Sequence, residues 1–440
     1  MGVTDFHTNN NNDKDKTMRI PQKSLLLGFL LQITSLTTSF VVPVPSIKPS
    51  SSFSSSSLAA KATKKKKKKK NASGGGGGLK GFGGVGSSGS SKTGVDVDID
   101  RSKEARAFYE FMEEGSAGDT LNRCAMGYFP LIGDTKLRGV VALKPMKKGD
   151  VIIRIPYELA VNLGQEGADP TGPAVTFLRE YCQVLGGDGE STSATATAYY
   201  KMLPPFKGDD CLGSTDFFSD EALEALQSPL IVEETLKRKE KTLARFQSDI
   251  DESFPNWIDG TPVTVEHLQW AVWLITSRVL TVQGDEEEGK SFRLLIPFLD
   301  MCNHDRSSSH VLTGRAVPGG ELKVVAGGTV KEGDQINICY GGGQVGNDRF
   351  VQDYGFLDGD DEAFNMVAKQ LLGKRRIVEG IGAGRILSEP DREESLKLLR
   401  STTIEEDVKL LDDEVDPGLR AAYMYRLNVK RALAKFIVMQ

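Results

Sequence analysis

The spacing of apolar residues first becomes regular after residue 100. Residues 104–114 carry apolar side chains at helical intervals and predict an opening helix. Residues 140–143 and 151–155 are rich in β-branched residues and predict two strands, which a turn at 147–150 joins. The globular part is therefore expected to open with one helix followed by β-structure.

The next region, residues 165–280, is mainly helical. Amphipathic helices are predicted at 220–226 and 233–250, where charged and apolar residues alternate with a helical period. Thr264 is the expected N-cap of a further helix over residues 265–280. The pattern predicts that this region is a helical insertion between two β-rich segments.

One charged residue lies on the apolar stripe of that last helix. The stripe contains His267, Trp270, Ala271 and Leu274, and Arg278 falls on the same face. An arginine that faces a core is unfavourable unless an anion pairs with it. Its partner is either a structural Asp or Glu or the carboxylate of a ligand, and position alone does not distinguish the two.

The chain becomes strand-rich again after residue 290 and helical again after residue 360. Strands are predicted at 291–296, 310–317, 321–325 and 335–340, and the clearest later helices at 404–411 and 419–438. The pattern predicts an α+β fold, in which a β-rich unit is split by a helical insertion and followed by a helical C-terminal domain.

A glycine-rich stretch after the last predicted strand is ambiguous. Gly341, Gly343 and Gly346 spell the G-x-G-x-x-G fingerprint of dinucleotide-binding folds. That reading needs a helix of about three turns and a second parallel strand after the glycines. Here the helical run ends at Tyr354 and the acidic sequence LDGDDEA follows at 357–363. We therefore set the dinucleotide interpretation aside.

Charge and cysteine content exclude several classes of function. Residues 1–100 contain 15 Lys or Arg and 6 Asp or Glu, a net charge of +9, so the chain total of −5 leaves −14 for residues 101–440. An acidic globular part argues against general nucleic-acid binding and mildly favours basic protein partners. The five cysteines form no C-x-x-C pair and the four histidines show no metal-ligand spacing, so neither a disulfide framework nor a metal site is expected.

Three motifs occur in a defined order along the globular part of the chain. The first is P-x-x-D-x-x-N-H at residues 297–304, within LIPFLDMCNH. The second is Tyr340-Gly341 with Asn347, followed by Tyr354-Gly355-Phe356. The third is RGVVA at 138–142 with Lys148-Gly149-Asp150 and Ile155-Pro156. In their order and spacing, which span residues 101–440, these motifs resemble SET-domain protein-lysine methyltransferases of the Rubisco large-subunit methyltransferase type.

The resemblance implies an α+β fold, specifically a SET domain with a threaded pseudoknot near the tyrosine strand. It implies S-adenosyl-L-methionine as cofactor, a lysine-containing protein as substrate, Tyr340 as the catalytic residue and no metal. The implied cofactor-binding residues are Lys136, Leu137, Arg138, Gly139, Arg278, Asn303 and His304, the first four in a loop whose backbone contacts the cofactor. The implied substrate-binding residues are Asp300, Tyr354 and Phe356, with Asp300 either a scaffold or a substrate contact. Arg278 would find its anion in the methionine carboxylate.

The resemblance also divides the chain. Residues 101–164 and 281–358 would form the two parts of the SET domain, 165–280 its helical insertion, and 359–440 a short helical domain resembling a substrate-binding domain. Methylation of histidine by the same fold, and a non-catalytic SET-fold binding module, remain alternatives. The protein is expected to be a monomer that binds no nucleic acid and is not stably inserted in a membrane.

The first hundred residues predict a targeting sequence. Residues 24–36 are apolar over the length of a signal peptide and follow a lysine- and arginine-containing segment, with Met18 an alternative start. No Asp or Glu occurs from Lys16 to Val95, and serine is abundant. This resembles the bipartite presequence of algal secondary plastids, so residues 1–60 are expected to direct plastid import and 61–100 to form a disordered linker. Secretion, or a nuclear address at Lys64–Lys70, are the alternatives.

Overall fold

The computed structural model describes residues 97–130, 136–167, 169–186, 194–285, 289–374 and 387–438. The predicted presequence and nearly all of the predicted linker lie outside these residues. Everything described belongs to one unit, which begins at Asn71. None of the described helices combines the length and the apolarity that crossing a bilayer requires.

The first part begins with a two-residue strand that was not predicted, and it continues with the predicted helix and β-structure. Its elements are β1 (Asp98–Ile99), α1 (Lys103–Glu114), α2 (Gly118–Leu121), β2 (Cys124–Pro130), β3 (Lys136–Ala142), β4 (Val151–Pro156) and β5 (Val161–Gln165). Helix α1 begins at Ser102, whose hydroxyl accepts a hydrogen bond from the N–H of Ala105 (3.1 Å). Its apolar face, including Phe108 and Met112, is fully buried in the main core.

Strand β3 corrects one expectation. The segment Lys136 to Gly139 was expected to be a loop, but it pairs antiparallel with β2, with Arg138 opposite Tyr128. Strand β2 was not predicted, because its sequence CAMGYFP contains both glycine and proline and no regular alternation. Any backbone contact made by these residues therefore comes from a strand.

The insertion is helical, as predicted. It contains α3 (Thr171–Gly186), α4 (Ala194–Tyr200), α5 (Asp209–Leu212), α6 (Asp220–Ala225), α7 (Pro229–Asp249) and α8 (Val265–Arg278). Thr264 caps α8 in a capping box, in which its N–H donates to Nδ1 of His267 (3.0 Å). Trp270 and Trp273 of this helix are buried in the main core, so α8 is fixed at both its start and its middle, and Arg278 at its end has a defined place.

The second β-rich part completes three sheets. Its elements are β6 (Leu280–Gln283), β7 (Ser291–Leu295), β8 (Asn303–His304), β9 (Val311–Thr313), β10 (Glu321–Val325), β11 (Gln335–Ile338) and α9 (Asn347–Arg349). The strand orders are β1-β2-β3-β11-β8, β4-β10-β9 and β5-β7-β6. Strands β8 and β11 run parallel, with Asn303 opposite Asn337. The threading of a pseudoknot stays a prediction; the parallel pairing is the contact that the structure describes.

Two strands are shorter than predicted, and glycine is the reason in each case. The strand expected at 310–317 covers only Val311–Thr313, because Gly314 follows with φ of +131°. The strand expected to reach residue 340 ends at Ile338, and Tyr340–Gly343 form a tight, kinked turn in which Gly341 and Gly342 have positive φ. Tyr340 therefore lies just after the strand.

The C-terminal helices build a second core. They are α10 (Asp361–Leu371), α11 (Glu389–Leu399), α12 (Ile404–Asp413) and α13 (Pro417–Val438). This core also includes Leu223 of α6 and Ile231 of α7. The helical insertion thus contributes to both cores, so the cores do not follow the order of segments along the chain.

Candidate active site

A small cavity of about 90 Å³ lies between the end of α8, β8 and the segment after β11. Its walls combine aromatic and aliphatic side chains with one cation and one carboxylate. The lining residues are Ser277, Arg278, Val279, Leu280, Leu299, Asp300, Cys302, Leu312, Ile338, Cys339, Tyr340, Gly341 and Tyr354. Four of the residues that the resemblance selected, Arg278, Asp300, Tyr340 and Tyr354, therefore meet in one place.

The hydroxyl of Tyr340 has a fixed orientation. It donates a hydrogen bond to the main-chain carbonyl of Cys302 (2.7 Å). Burial raises the pKa of Tyr340 above its ordinary value, although the nearby Arg278 guanidinium acts in the opposite direction. The phenol is therefore neutral near pH 7 and has its proton directed at the carbonyl, which leaves oxygen lone pairs for another partner.

The ring of Tyr340 is held by other aromatic rings. Tyr354 stacks on it at 5.1 Å between ring centroids and 28° between planes. Phe356 packs edge-on at 6.4 Å from Tyr340 and also touches Tyr354. Burial, with a smaller effect from the charge of Asp353, raises the pKa of Tyr354 to about 12. Both tyrosines thus present neutral aromatic walls to the cavity.

His304 holds the backbone of Tyr340. Nδ1 of His304 accepts a hydrogen bond from the N–H of Tyr340 (3.0 Å), so this nitrogen carries no proton. Nε2 faces the Asp358 carboxylate at 3.3 Å and is its donor. The side chain is almost fully buried, and both ring nitrogens are engaged within the protein. The imidazole is therefore a positioning group for Tyr340.

The glycine turn after Tyr340 is anchored by Arg306. Gly341, Gly342 and Gly343 all have positive φ, which a residue with a side chain rarely adopts. Arg306 donates to the carbonyl of Gly343 (2.8 Å) and to that of Val345 (2.7 Å). The turn is therefore tied at two carbonyls in spite of its glycine content.

Asp358 connects the turn to the histidine. Its carboxylate accepts a hydrogen bond from Nε of Arg306 (2.9 Å), and its main chain exchanges two hydrogen bonds with the side chain of Asn347. Burial would raise the pKa of Asp358, but hydrogen bonds from His304, Arg306 and the Asp360 N–H outweigh it and lower the pKa. Asp358 is thus an anion at neutral pH and fixes the His304 tautomer.

Asp300 is a buried acid at the cavity. Its Oδ2 accepts a hydrogen bond from the hydroxyl of Tyr199 (2.8 Å), and its main-chain carbonyl accepts one from Arg278 (3.0 Å). Burial raises the pKa of Asp300 to about 6, against the opposing effects of Arg278 and the Tyr199 hydroxyl. Oδ1 of Asp300 and Nε of Arg278 are buried without a hydrogen-bond partner among the described residues. The site therefore holds an unsatisfied acceptor and an unsatisfied donor.

Asn303 links β8 to β3. Its side-chain amide donates to the main-chain carbonyl of Arg138 (2.9 Å). A Cβ atom on Gly139 would lie 2.7 Å from this amide nitrogen and 2.5 Å from Nε2 of Gln335. A side chain at position 139 would therefore displace the ends of the Asn303 and Gln335 side chains. Arg138 itself donates to the carbonyl of Met202.

The remaining predicted residues lie away from the cavity wall. Lys136 is exposed and pairs with Asp98 (3.1 Å), and Leu137 lies opposite Phe129 in the β2–β3 ladder. Phe356 reaches the cavity only through the rings of Tyr340 and Tyr354. Arg138, Gly139, Asn303 and His304 do not line the cavity either, so all seven residues stay predictions as cofactor or substrate contacts.

Sequence reasoning missed three residues that shape the site: Tyr199, Arg306 and Asp358. Tyr199 comes from the insertion, 101 positions before Asp300. Asp358 lies in the acidic stretch that was interpreted only as a loop. A signal for Asp358 existed, since it closely follows the Tyr-Gly-Phe motif. Across the described ranges, no group of three or more His, Cys, Asp or Glu residues is placed to hold a metal ion.

Comparisons with known proteins give the chain a structural context. No family model matches it. It is 25% identical over 237 residues to the chloroplastic ribulose-1,5 bisphosphate carboxylase/oxygenase large subunit N-methyltransferase of Pisum sativum, covering 50% of this chain and 45% of the relative. It is 25% identical over 232 residues to the chloroplastic [fructose-bisphosphate aldolase]-lysine N-methyltransferase of Arabidopsis thaliana, covering 50% and 46%. The matches span about half the length of these curated relatives.

Solved structures match over more of the chain. The SET domain of LSMT bound to lysine and AdoHcy superposes with a TM-score of 0.52 at 17% identity, covering 77% of this chain and 91% of that one. The same domain bound to MeLysine and AdoHcy gives 0.50 at 17% identity, covering 77% and 92%. At this identity the likeness establishes the fold alone. The chain is thus an α+β protein with the fold of the LSMT SET domain, and it is similar in sequence to two chloroplastic N-methyltransferases.

Proposed function

We propose that this protein is an S-adenosyl-L-methionine-dependent methyltransferase that transfers a methyl group to the side-chain amine of a lysine in a protein substrate. The names of the relatives and the lysine-bound SET domain support this assignment. The observation that carries it is the fixed hydroxyl of Tyr340, which is neutral, bound to the Cys302 carbonyl and placed on the wall of a narrow aromatic cavity.

The chemistry requires a neutral amine, whereas a free lysine has a pKa of about 10.4. A cavity walled mainly by aromatic and aliphatic side chains disfavours the ammonium form, and the nearby positive charge of Arg278 acts in the same direction, while the Asp300 carboxylate opposes them. Tyr340 and Tyr354 would flank the amine, and Asp300 would contact it or support the wall. Orientation of the amine and electrostatic preorganisation are the contributions of the protein to such a displacement.

The residues present fit the cofactor. Arg278 keeps a buried, unsatisfied N–H that suits a carboxylate, and the glycine at 139 leaves room beside Asn303. We assign the binding of S-adenosyl-L-methionine to Arg138, Gly139, Arg278 and Asn303, with His304 holding Tyr340 in place. When bound, the cofactor supplies an electrophilic methyl group on a sulfonium.

The anchored glycine turn favours catalysis over a non-catalytic module. A binding module that had lost the reaction would have no need to hold the turn after Tyr340. Arg306 and Asp358 nevertheless hold both this turn and His304 through direct hydrogen bonds. This arrangement preserves the position of the Tyr340 backbone.

Transfer of a tritiated methyl group tests the function. The purified protein is incubated with labelled S-adenosyl-L-methionine and plastid extract, and labelled proteins are identified after electrophoresis. We expect a labelled protein with wild type and none with Tyr340→Phe. Tyr157→Phe, between β4 and β5 and outside the site, should behave as wild type, since its hydroxyl only accepts a hydrogen bond from Asn162. Mass spectrometry of the labelled protein then identifies the residue, and a methylated histidine would replace lysine in the proposal. No labelling by wild type that binds the cofactor in calorimetry would favour the binding module.

We further propose that the protein works in plastids as a monomer, without nucleic acid. The chloroplastic names of both relatives and the acid-free N-terminal sequence support this location. In this view residues 359–440 dock the protein substrate. A fluorescent protein carrying residues 1–100 should reach the plastid, and its accumulation in the nucleus or the medium would refute the location.

A further inference from the structure

A second and larger cavity, of about 540 Å³, adjoins the candidate active site. Charged side chains dominate its walls, in contrast to the aromatic cavity. The lining residues are Asp169, Pro170, Thr171, Glu234, Lys237, Arg238, Lys241, Ile275, Thr276, Val279, Thr281, Arg293, Arg349, Gln352 and Asp353. We call this set the charged cleft. It lies between α7, the end of α8, β6 and β7, and the turn that precedes Tyr354.

The charged cleft and the Tyr340 cavity share a wall. Val279 lines both of them. On β6, Leu280 lines the Tyr340 cavity and Thr281 the cleft, as alternation along a strand requires. Likewise, Asp353 lines the cleft and the adjacent Tyr354 lines the Tyr340 cavity. A chain that places one side chain beside Tyr354 would therefore pass close to the cleft.

All three acids of the cleft are already paired. Asp353 binds Arg238 at 2.6 Å, and Glu234 binds Arg349 at 2.8 Å. The Asp169 carboxylate accepts hydrogen bonds from Thr171 and faces Arg245 at 3.4 Å, which lies outside the cleft lining. Of the cations that remain, Lys237 pairs with Glu233, which lies outside the cleft lining.

Two of those cations lack an acidic partner among the described residues. Lys241 is exposed on α7 and makes no hydrogen bond or ion pair there. Arg293 is half-buried and donates to the main-chain carbonyl of Asp169 (2.7 Å). Burial lowers the pKa of Arg293, against the attraction of Asp169 and Glu166, so an added anion would be favourable. The cleft therefore has unused positive charge in a protein whose globular part carries a net charge of −14.

We infer that the charged cleft binds the carboxylate of an acidic residue that flanks the target lysine in the protein substrate, through Lys241 and Arg293. The inference rests on the proposed function and adds a rule for substrate choice. It is distinct from catalysis, since neither residue lines the Tyr340 cavity.

The position of Lys241 gives an approximate spacing. Glu234, Lys237, Arg238 and Lys241 lie on one face of α7, and Arg238 is the residue bound to Asp353. Lys241 follows Arg238 by three residues, about 4.5 Å further along the helix. An extended peptide advances about 3.3–3.6 Å per residue. That offset corresponds to between one and two residues of extended peptide, roughly, so the acidic residue is expected within a few positions of the target lysine.

Peptide binding tests the inference without requiring turnover. Fluorescent peptides with one central lysine carry either Glu or Gln at each flanking position in turn, and fluorescence anisotropy measures their affinity for the full-length protein. We expect the Glu peptide to bind roughly two- to fivefold more tightly at one or two positions, the effect of a single partly exposed ion pair. The preference should weaken with added salt.

Variants assign the effect to the cleft. Lys241→Glu should abolish or reverse the preference, and Arg293→Gln should reduce it. Glutamate at 241 lies four residues from both Lys237 and Arg245, so α7 should stay folded. Lys148→Glu, in an exposed turn, is the matched control and should keep the wild-type preference. Equal affinity of Glu and Gln peptides at every position, absence of peptide binding, or a preference unchanged in Lys241→Glu would each overturn the inference.

The methyl-transfer assay separates this inference from the proposed function. If extract proteins are labelled but the peptides show no acidic preference, the function stands and the cleft assignment fails. If the preference is present and depends on Lys241 but no protein is labelled, the cleft binds acidic peptides and the methyltransferase proposal fails.

Discussion

The Tyr340 N–H donates a hydrogen bond to Nδ1 of His304 at 3.0 Å, across 36 positions of sequence. Because Asp358 takes the other imidazole nitrogen, the ring cannot turn without losing a partner. Through these two hydrogen bonds of His304, the position of Asp358 determines the position of the Tyr340 backbone. His304 thus helps to position the residue that carries the candidate catalytic hydroxyl.

Replacing His304 with alanine should uncouple Tyr340 from Asp358. The Tyr340 N–H would lose its acceptor, and an unsatisfied buried donor costs about 1–3 kcal/mol of unfolding free energy. We expect a lower melting temperature, and a fall in kcat larger than any rise in KM for S-adenosyl-L-methionine. Calorimetry and steady-state kinetics measure both.

His304→Asn is the matched control for that variant. Its side-chain oxygen can accept the Tyr340 hydrogen bond, although the contact with Asp358 is lost. It should recover part of the stability and of kcat. Equal losses in the alanine and asparagine variants would contradict a role in positioning Tyr340.

Tyr340→Phe should remove catalysis and preserve the fold. The stacked contact with Tyr354 needs only the ring, while the hydrogen bond to Cys302 needs the hydroxyl. We expect methyl transfer to fall by about 10²–10³-fold, the scale of losing one preorganised hydrogen-bonding group in an active site, with nearly unchanged cofactor affinity. Tritium transfer measures the rate of methyl transfer, and calorimetry measures the cofactor affinity. An active variant would rule out Tyr340 as the catalytic residue.

Gly139→Ala should weaken cofactor binding more than it weakens the fold. The added methyl would meet the ends of two side chains, Asn303 and Gln335, which can move without displacing backbone. Asn303 would then lose its place against the Arg138 carbonyl. We expect a higher Kd for S-adenosyl-L-homocysteine in calorimetry with little change in melting temperature. Gly172→Ala, where a Cβ meets no atom within 4 Å, is the control. An unchanged Kd would remove Asn303 from the cofactor site.

Asp300 should make the wild type less stable as pH rises. Its folded-state pKa of about 6 lies above the ordinary 3.8, so the folded chain holds this proton more tightly than the unfolded chain. The stabilising effect of that proton is complete below about pH 4 and is lost as pH approaches 6. The difference corresponds to at most about 3 kcal/mol.

Asp300→Asn isolates that effect. Asparagine can still accept the hydrogen bond of the Tyr199 hydroxyl and has no charge to bury. The variant should therefore gain stability relative to wild type between pH 4 and pH 6, as measured by urea unfolding over this range. Parallel pH profiles of the two proteins would show that the Asp300 pKa is not raised.

Local signals in the sequence predicted the helices and turns well. The turns at Lys147–Asp150 and Lys331–Asp334 share the pattern K-x-G-D, and in each the Asp side chain accepts the N–H of the Lys three residues earlier, at 2.8 and 2.7 Å. The capping of α8 by Thr264 was likewise visible. These features depend on residues within four positions of one another, so the sequence pattern contains the information needed to predict them.

The contacts that complete the site join distant segments and had no such signal. Tyr199 reaches Asp300 from the insertion, and Arg306 reaches the carbonyls of Gly343 and Val345 from the other side of β11. Strand β2 escaped prediction because the β1 and β3 ladders, rather than its own propensity, hold it in place. The order of the motifs predicted that Asn303 and Tyr340 lie in one site. The residues that support them could be identified only from the structure.

The pairing of β3 with β11 also has a consequence for how the chain is made. Ala142 ends β3 and Gln335 begins β11, so 192 residues must be synthesised between them. At ribosomal rates of about 5–20 residues per second this takes roughly 10–40 s. During that interval one edge of β3 has no strand partner. An unpaired strand edge can form hydrogen bonds with an incorrect strand or with another chain. Slowed elongation or loss of chaperone protection within residues 143–334 should therefore lower the yield of soluble protein more than the same disturbance after residue 360.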